Sequence, residues 1–219
     1  MHIEPDLISP EKMLLAYATA AAAGAMTVKF AADTLRERGL VSLLARTVLA
    51  TGAVFCFFEV FPHYAVGVSE VHLILGSTLL LIFGAAPAAI GLALGLLFFA
   101  PFDLPQYFAN VTTLIAPLVA IKFLADRIIP ANTPYVDLRY GQALALSATY
   151  QGGVVLWVAF WALYGQGFGA ENLTDIVTFG GAYMLVVLLE PLVDLAVLAG
   201  AKLARGLART GLVTPRLFA

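Results

Sequence analysis

The second residue of the chain is a histidine, and at that position it can supply more metal ligands than its ring alone. The amine of Met1, the backbone amide of His2 and the Nδ1 atom of the His2 ring can close two fused chelate rings. The three nitrogens then lie roughly in one plane, and a further imidazole would complete a square. Planar nitrogen ligation suits Ni(II) or Cu(II), and a bound ion favours loss of the amide proton. The opening residues therefore predict a metal site.

A second candidate for chemistry is the pair Glu190 and Asp194, which flank Pro191 in the last apolar stretch. Charged groups inside a membrane segment are costly and usually face a polar interior. We expect the pair near the cytoplasmic end of its helix, where it could bind Lys202 or a partner protein. Two carboxylates could also act as acid and base, but the sequence shows no nucleophile or base beside them. An enzyme is therefore not favoured.

The composition requires these residues to lie in a membrane protein. Of the 219 residues, 61% are apolar and 12% are charged, against about 25% charged in a soluble domain. One domain of this size cannot bury so much apolar surface, so the surplus must face lipid. The net charge of −2 argues against nucleic acid as a partner, because phosphate binding needs a basic face. The acidic opening lacks the basic stretch of a secretory signal, so we expect Met1 to start the mature chain.

The apolar stretches predict an all-α fold, a polytopic transmembrane helical bundle of about seven helical segments in one domain, 1–219. A bilayer core needs about 20 helical residues, and five of the stretches reach that length. The two short ones, 71–84 and 85–100, are interrupted by glycine and proline, and fusing them would leave five crossings. The predicted stretches are 12–31, 40–61, 71–84, 85–100, 108–125, 141–165 and 174–203.

The basic residues indicate the orientation, because cytoplasmic loops carry an excess of Lys and Arg. With the N-terminus outside and seven crossings, eleven of the twelve basic residues fall inside, and only Lys12 remains outside. Five crossings would move three of them outside, so the charges favour seven. The expected location is the cytoplasmic (inner) membrane, crossed several times. Residues 1–11 would be extracytoplasmic, and residues 204–219 would form a cytoplasmic tail.

Four short segments resemble the CbiM/NikM family, the substrate-binding membrane subunits of energy-coupling factor (ECF) transporters for cobalt and nickel. The resemblance covers most of the chain and is strongest in 1–5 and 66–118. It implies the fold of an ECF substrate subunit and capture of Co(II) or Ni(II) as a transported ligand, with no permanently bound cofactor. The segments are 1–3 (Met-His-Ile), 69–73 (Ser-Glu-Val-His-Leu), 84–89 (Gly-Ala-Ala-Pro-Ala-Ala) and 109–111 (Ala-Asn-Val).

The resemblance also implies a ligand set. In the family an inserted N-terminus supplies the amine, the amide and the first imidazole, which match Met1 and His2, and the later histidine maps to His72. The chain departs from the family pattern at Glu70-Val71 and at 101–105 (Pro-Phe-Asp-Leu-Pro). These departures leave the chelate intact and leave the choice between cobalt and nickel open.

Residues that could support the ligands follow from the expected topology. A ligating imidazole normally donates its other N–H to a carboxylate, a carbonyl or water. Five polar residues lie on the outer side, and Asn110 is favoured among them by the resemblance. Solvated loop polarity is the alternative for each. These residues are Glu4, His63, Glu70, Asp103 and Asn110.

The expected partners follow from the resemblance and from what the chain lacks. It has no Gly-x-x-x-x-Gly-Lys-[Ser/Thr] motif, so ATP hydrolysis, if coupled, resides in a separate ATPase subunit. A transmembrane coupling (T) subunit completes the implied complex, which can also include a small accessory membrane subunit. Ala16, Ala20 and Gly24 form a small-residue face that suits close helix approach, either within the chain or to a partner. The alternative function is a non-transport accessory or assembly protein with the same fold.

Overall fold

The computed structural model describes residues 13–98 and 104–219. The first helix, α1 (Met13–Phe55), ends in a π-helical turn (Cys56–Val60). Its helical geometry is broken at Gly39, where φ is 75°, a backbone conformation that glycine adopts without strain. The predicted stretches 12–31 and 40–61 are therefore the two halves of one helical run. The residues between these two stretches, which were predicted to lie outside a helix, are helical as far as Gly39.

A short antiparallel hairpin follows α1. Its strands are β1 (Tyr64–Val66) and β2 (Ser69–Val71), and Val66 pairs with Ser69 across the turn. Gly67 in the turn has a φ of 56°, which favours glycine there. The hairpin is a small addition to a helical fold, and three-residue strands carry too short a pattern to read from sequence.

Two short helices, α2 (Gly76–Phe83) and α3 (Ala85–Leu97), meet at Gly84. The φ of 87° at Gly84 ends one helix and starts the next without a longer loop. The two long helices that follow are α4 (Leu104–Ile128) and α5 (Tyr140–Gln166). Gly91 and Gly95 of α3 lie so close to α1 that a Cβ on Gly91 would be 2.7 Å from the Cβ of Ala50.

The last predicted stretch, 174–203, is divided into α6 (Ala170–Met184) and α7 (Val186–Leu203). At the junction the amide of Leu185 binds the carbonyl of Ala182 at 3.2 Å, a tightened i→i+3 turn. The two helices remain one apolar run of 34 residues. The sequence pattern alone did not indicate the junction, because hydropathy is continuous across it.

The helices are those of a membrane protein. Within the described ranges, four helical runs are long and apolar enough to cross a bilayer. Large apolar side chains are strongly exposed on them, including Val41 at 82% and Leu203 at 92%, which fits surfaces that face lipid. The four runs are Met13–Val60, Gln106–Ile128, Tyr140–Gln166 and Ala170–Leu203.

Candidate functional site

His72 lies immediately after β2 and is completely buried. The edge of its ring meets Phe58 in the π-helical turn, with ring centroids 5.1 Å apart. The ring of His63 stacks on its face, with centroids 4.9 Å apart and an angle of 14°. The π-helical turn and the hairpin thus enclose this imidazole. We call the group formed by Phe58, His63, Glu70 and His72 the hairpin site.

Glu70 supplies the polar contact to His72. Its Oε2 atom lies 3.1 Å from His72 Nε2, and its side chain is 25% exposed. Alternate residues of an extended strand point to one face, which places both side chains on the same side of β2. A carboxylate at Nε2 holds the proton on that nitrogen and presents Nδ1 as the electron-pair donor. This arrangement is suited to binding a cation at Nδ1.

His63 is exposed and lies at the open side of the hairpin site. Its Nδ1 atom is 3.3 Å from the carbonyl oxygen of Phe61, so the ring is oriented by its own loop. Its stacking on His72 brings the two described imidazoles into contact. Their positions in the sequence did not predict this contact.

Asn110 lies on α4 and is 3% exposed. Its Oδ1 atom has no hydrogen-bond partner among the described residues. A buried amide oxygen of this kind normally finds a donor. No described contact joins Asn110 to His72, so the structure does not bring these two residues together directly.

The remaining predicted ligands, and two of the residues predicted to support them, lie outside the described residues. These are Met1, His2, Glu4 and Asp103. Within the described ranges no group of three or more His, Cys, Asp or Glu side chains is placed to hold a metal ion. The ligand set predicted from the N-terminus therefore stays a prediction.

The small-residue face of α1 is divided between packing and open surface. Ala16 and Ala20 are buried inside the chain, whereas a Cβ on Gly24 would meet nothing within 4 Å. The same side of α1 contacts α4, where Thr112 donates a hydrogen bond to Thr19 at 3.2 Å. Internal packing explains the first two residues, and the surface at Gly24 is open.

A polar cluster is buried among the helices around the two carboxylates that the sequence predicted to bind Lys202 or a partner protein. Glu190 and Asp194 are not paired with Lys202, which instead contacts Asp137 at 2.8 Å. They are fully buried between helices, because α5 and α2 supply hydroxyl and amide groups at their depth. Ser77 and Ser147 in otherwise apolar helices were the available signal. We call this group the carboxyl cluster: Ser77, Thr78, Ser147, Gln151, Glu190 and Asp194.

Comparison with known proteins gives one finding. The family model CbiM, described as the cobalt uptake substrate-specific transmembrane region, matches residues 2–205. No curated protein and no solved structure matches the chain. The match covers nearly the whole chain, including the hairpin site and the carboxyl cluster, and it confirms the resemblance found in the sequence.

Proposed function

Because the chain belongs to the CbiM family of cobalt uptake substrate-specific transmembrane regions, we propose that it captures Co(II) or Ni(II) at the outer face of the membrane. In this proposal it is the substrate-specific subunit of an ECF-type transporter. The single observation that carries the proposal is the buried imidazole of His72 with a carboxylate at its Nε2 atom. This is how a metal-ligating histidine is commonly oriented.

The proposed ligands are the Met1 amine, the His2 amide and ring, and His72 Nδ1. All four donors are nitrogens, which suit late first-row ions over Mg²⁺ or Ca²⁺. Glu70 would orient His72, and the amide oxygen of Asn110 would accept a hydrogen bond from the inserted N-terminal segment. The stacked ring of His63 would cover the ion from the outer solution.

The direction of the helices supports separate crossings for α2 and α3, and the basic residues favour an N-terminus outside. The second half of α1 and α3 run the same way, because Ala50 lies beside Gly91 and Val54 beside Gly95. The chain must therefore cross back between them, and α2 with the segment before it is the only connection. In this arrangement the hairpin site is extracytoplasmic and residues 204–219 are cytoplasmic.

The proposed partners supply energy and complete the path. ATPase subunits and a transmembrane coupling subunit would drive release of the ion to the cytoplasm. The open surface at Gly24 allows a helix of the coupling subunit to approach closely. A small accessory membrane subunit could join the same complex.

Metal counting on the purified full chain tests the proposal. The protein is given a C-terminal tag, equilibrated with Co(II) or Ni(II), freed of excess ion and analysed by elemental mass spectrometry. We expect one ion per chain, lost in His72→Ala and in His2→Ala. The exposed Glu171→Gln variant at the start of α6 is the control and should keep the ion.

Two outcomes would contradict the proposal. Wild-type protein without bound ion would favour an accessory or assembly role. Full metal content in His72→Ala would show that the ion binds elsewhere. Copurification of ATPase and coupling subunits with the tagged chain tests the transport complex separately, and their absence would remove the ECF assignment even where metal is bound.

A further inference from the structure

The carboxyl cluster joins three helices at a depth where charge is expensive. Glu190 and Asp194 come from α7, Ser77 and Thr78 from α2, and Ser147 with Gln151 from α5. All six are buried. An intramembrane ionisable group that is retained in a buried position indicates a function more often than a structural role.

The number of protons in the cluster can be counted from the contacts of Ser77. The Ser77 hydroxyl oxygen lies 2.9 Å from Glu190 Oε1 and 2.7 Å from Asp194 Oδ2. A hydroxyl group carries a single proton, so it can donate to only one of the two carboxyl groups. The other contact needs a proton on the carboxyl group itself, because two oxygens without a proton between them repel at this distance.

The remaining contacts decide which carboxyl group carries that proton. Glu190 accepts from groups that can only donate, since the Ser77 backbone N–H points to Oε1 at 3.4 Å and Gln151 Nε2 points to Oε2 at 2.8 Å. The Ser147 hydroxyl adds a third contact to Oε2 at 2.5 Å. Asp194, in contrast, meets only hydroxyl groups among the described residues, those of Ser77 and Thr78. These hydroxyls accept as readily as they donate.

From this hydrogen-bond pattern we propose that the carboxyl cluster is an intramembrane proton-binding site. Asp194 holds the proton and donates it to the Ser77 oxygen, and Ser77 in turn donates to the ionised Glu190. The N-terminus of α2, where Ser77 offers its amide, also favours the negative charge on Glu190. The site thus keeps one negative charge where two would stand without the proton.

The distances favour a proton over a metal ion as the ligand. An ion held at about 2.3–2.6 Å by oxygens in octahedral geometry keeps neighbouring ligand oxygens about 3.3–3.7 Å apart. The oxygens here are 2.5 Å apart for Thr78 and Asp194 and 2.7 Å apart for Ser77 and Asp194. In the ion pairs of the described ranges neither carboxyl group has a basic partner.

Further buried groups support a site that exchanges protons. Gln151 Oε1 lacks a donor among the described residues, so a second acceptor is present in the cluster. The hydroxyls of Tyr150 on α5 and Tyr183 on α6 are buried and likewise lack a described partner. Both hydroxyls are titratable and lie close enough to Glu190 to interact with its charge. From α2 only Ser77 and Thr78 face the pair, and neither titrates. At the far end of α7, Lys202 is held by Asp137.

The site is connected to the segment that carries His72. Gln151 Nε2 also donates to the carbonyl of Ile74 at 2.8 Å, and Ile74 lies two residues after His72. Loss of the Asp194 proton would place two negative charges on either side of Ser77 and weaken the start of α2. Proton binding therefore holds residues 74–78 in place, whether or not a metal ion is captured.

Infrared spectroscopy of the full-length protein in lipid at neutral pH tests the proposal. The C=O stretch of a protonated carboxyl group is separate from that of a carboxylate and shifts on exchange into D₂O. We expect such a band in the wild type, complete loss of it in Asp194→Asn, and full retention in Glu171→Gln, whose carboxyl group is exposed. A wild type without the band, or a band that persists in Asp194→Asn, would overturn the proposal.

Thermal unfolding in detergent gives a second measurement. An Asn amide at 194 can donate to Ser77 and accept from Thr78 as the protonated acid does, so Asp194→Asn should unfold at the wild-type temperature at neutral pH. In Glu190→Gln the amide NH₂ group would face an N–H donor, that of either Ser77 or Gln151, where the carboxylate accepts a hydrogen bond. Glu190→Gln should therefore unfold at a lower temperature. The wild type should lose stability as the pH rises and the proton leaves, and Asp194→Asn should not. The reverse ranking of the two variants would contradict the assignment to Asp194.

Discussion

The hairpin site and the carboxyl cluster are two places where the described residues of this membrane protein bury polar groups, and they are built in opposite ways. Phe58, His63 and Glu70, which contact His72, all come from one local piece of chain. The contacts of Glu190 reach Ser77, which is 113 residues away. A change in the hairpin site can therefore alter binding without disturbing the bundle, whereas a change in the carboxyl cluster alters the packing of three helices.

The largest effect is expected where the carboxyl cluster is packed most tightly. Gly76 begins α2, and a Cβ there would overlap the ring of the buried Tyr150. Overpacking costs about 1–3 kcal/mol and occasionally more, so Gly76→Val should lower the free energy of unfolding by about 3 kcal/mol. Denaturant unfolding of the detergent-solubilised protein measures this.

A matched glycine substitution sharpens that result. Gly152 lies in α5, and a Cβ there would meet nothing within 4 Å. Gly152→Ala should raise the free energy of unfolding by about 0.5–1 kcal/mol, because alanine favours the helix. Equal destabilisation by both variants would mean that any methyl group added to these helices is harmful and that the contact of Gly76 with Tyr150 is not the cause.

A substitution in the hairpin site should change metal affinity and leave the stability of the protein unchanged. Glu70→Gln weakens the hold on His72 Nε2, and loss of such a supporting group costs about 10–100-fold in metal affinity. Titration calorimetry with Ni(II) or Co(II) gives the affinity, and thermal unfolding of the metal-free protein should be unchanged. The exposed Glu59→Gln variant, which removes a nearby carboxylate, is the control. An equal loss in both would indicate a general electrostatic effect.

A smaller effect on stability is expected from one hydroxyl of the carboxyl cluster. Thr78→Val keeps the side-chain volume and removes the hydrogen bond to Asp194, which should cost about 1–2 kcal/mol. Thr51→Val removes a hydroxyl that binds only the carbonyl of Thr47 in its own helix and should cost much less. Metal affinity should be unchanged in both, and a loss of affinity in Thr78→Val would break the separation between the two regions.

The two regions also differ in how far the sequence predicts them. His72 was identified because its segment resembles the family, and Glu70 because the expected topology places it on the outer side near the proposed pocket. The location of the carboxyl cluster could not be predicted in this way. Glu190 and Asp194 were recognised as polar, but their partners come from α2 and α5, and nothing in the spacing of one helix indicates which neighbour reaches it.

The same reasoning explains the outcomes for the fold. Continuous hydropathy predicted the long helices well, because a lipid-facing surface is apolar along its whole length. It joined 174–203, which the structure divides at Leu185, since a tightened turn changes no residue type. It also missed the hairpin 64–71, where the local backbone is set by Gly67 and by packing against α6, not by periodicity.

The smallest effect is expected at the opposite end of α7 from the carboxyl cluster, at an ion pair in contact with solvent. Lys202 binds Asp137 at 2.8 Å, and the two side chains are 44% and 55% exposed. Exposed pairs contribute about 0.2–1 kcal/mol and are screened by salt, so Lys202→Met should lower the free energy of unfolding by about 0.5 kcal/mol or less. Arg205→Met removes a charge at the same end that has no described ion pair. It should not change the free energy of unfolding measurably. Denaturant unfolding at low and high salt compares the two, and the small difference should vanish at high salt. A difference that persists there would mean that the lysine stem contributes by packing, in the way that buried groups do in the carboxyl cluster.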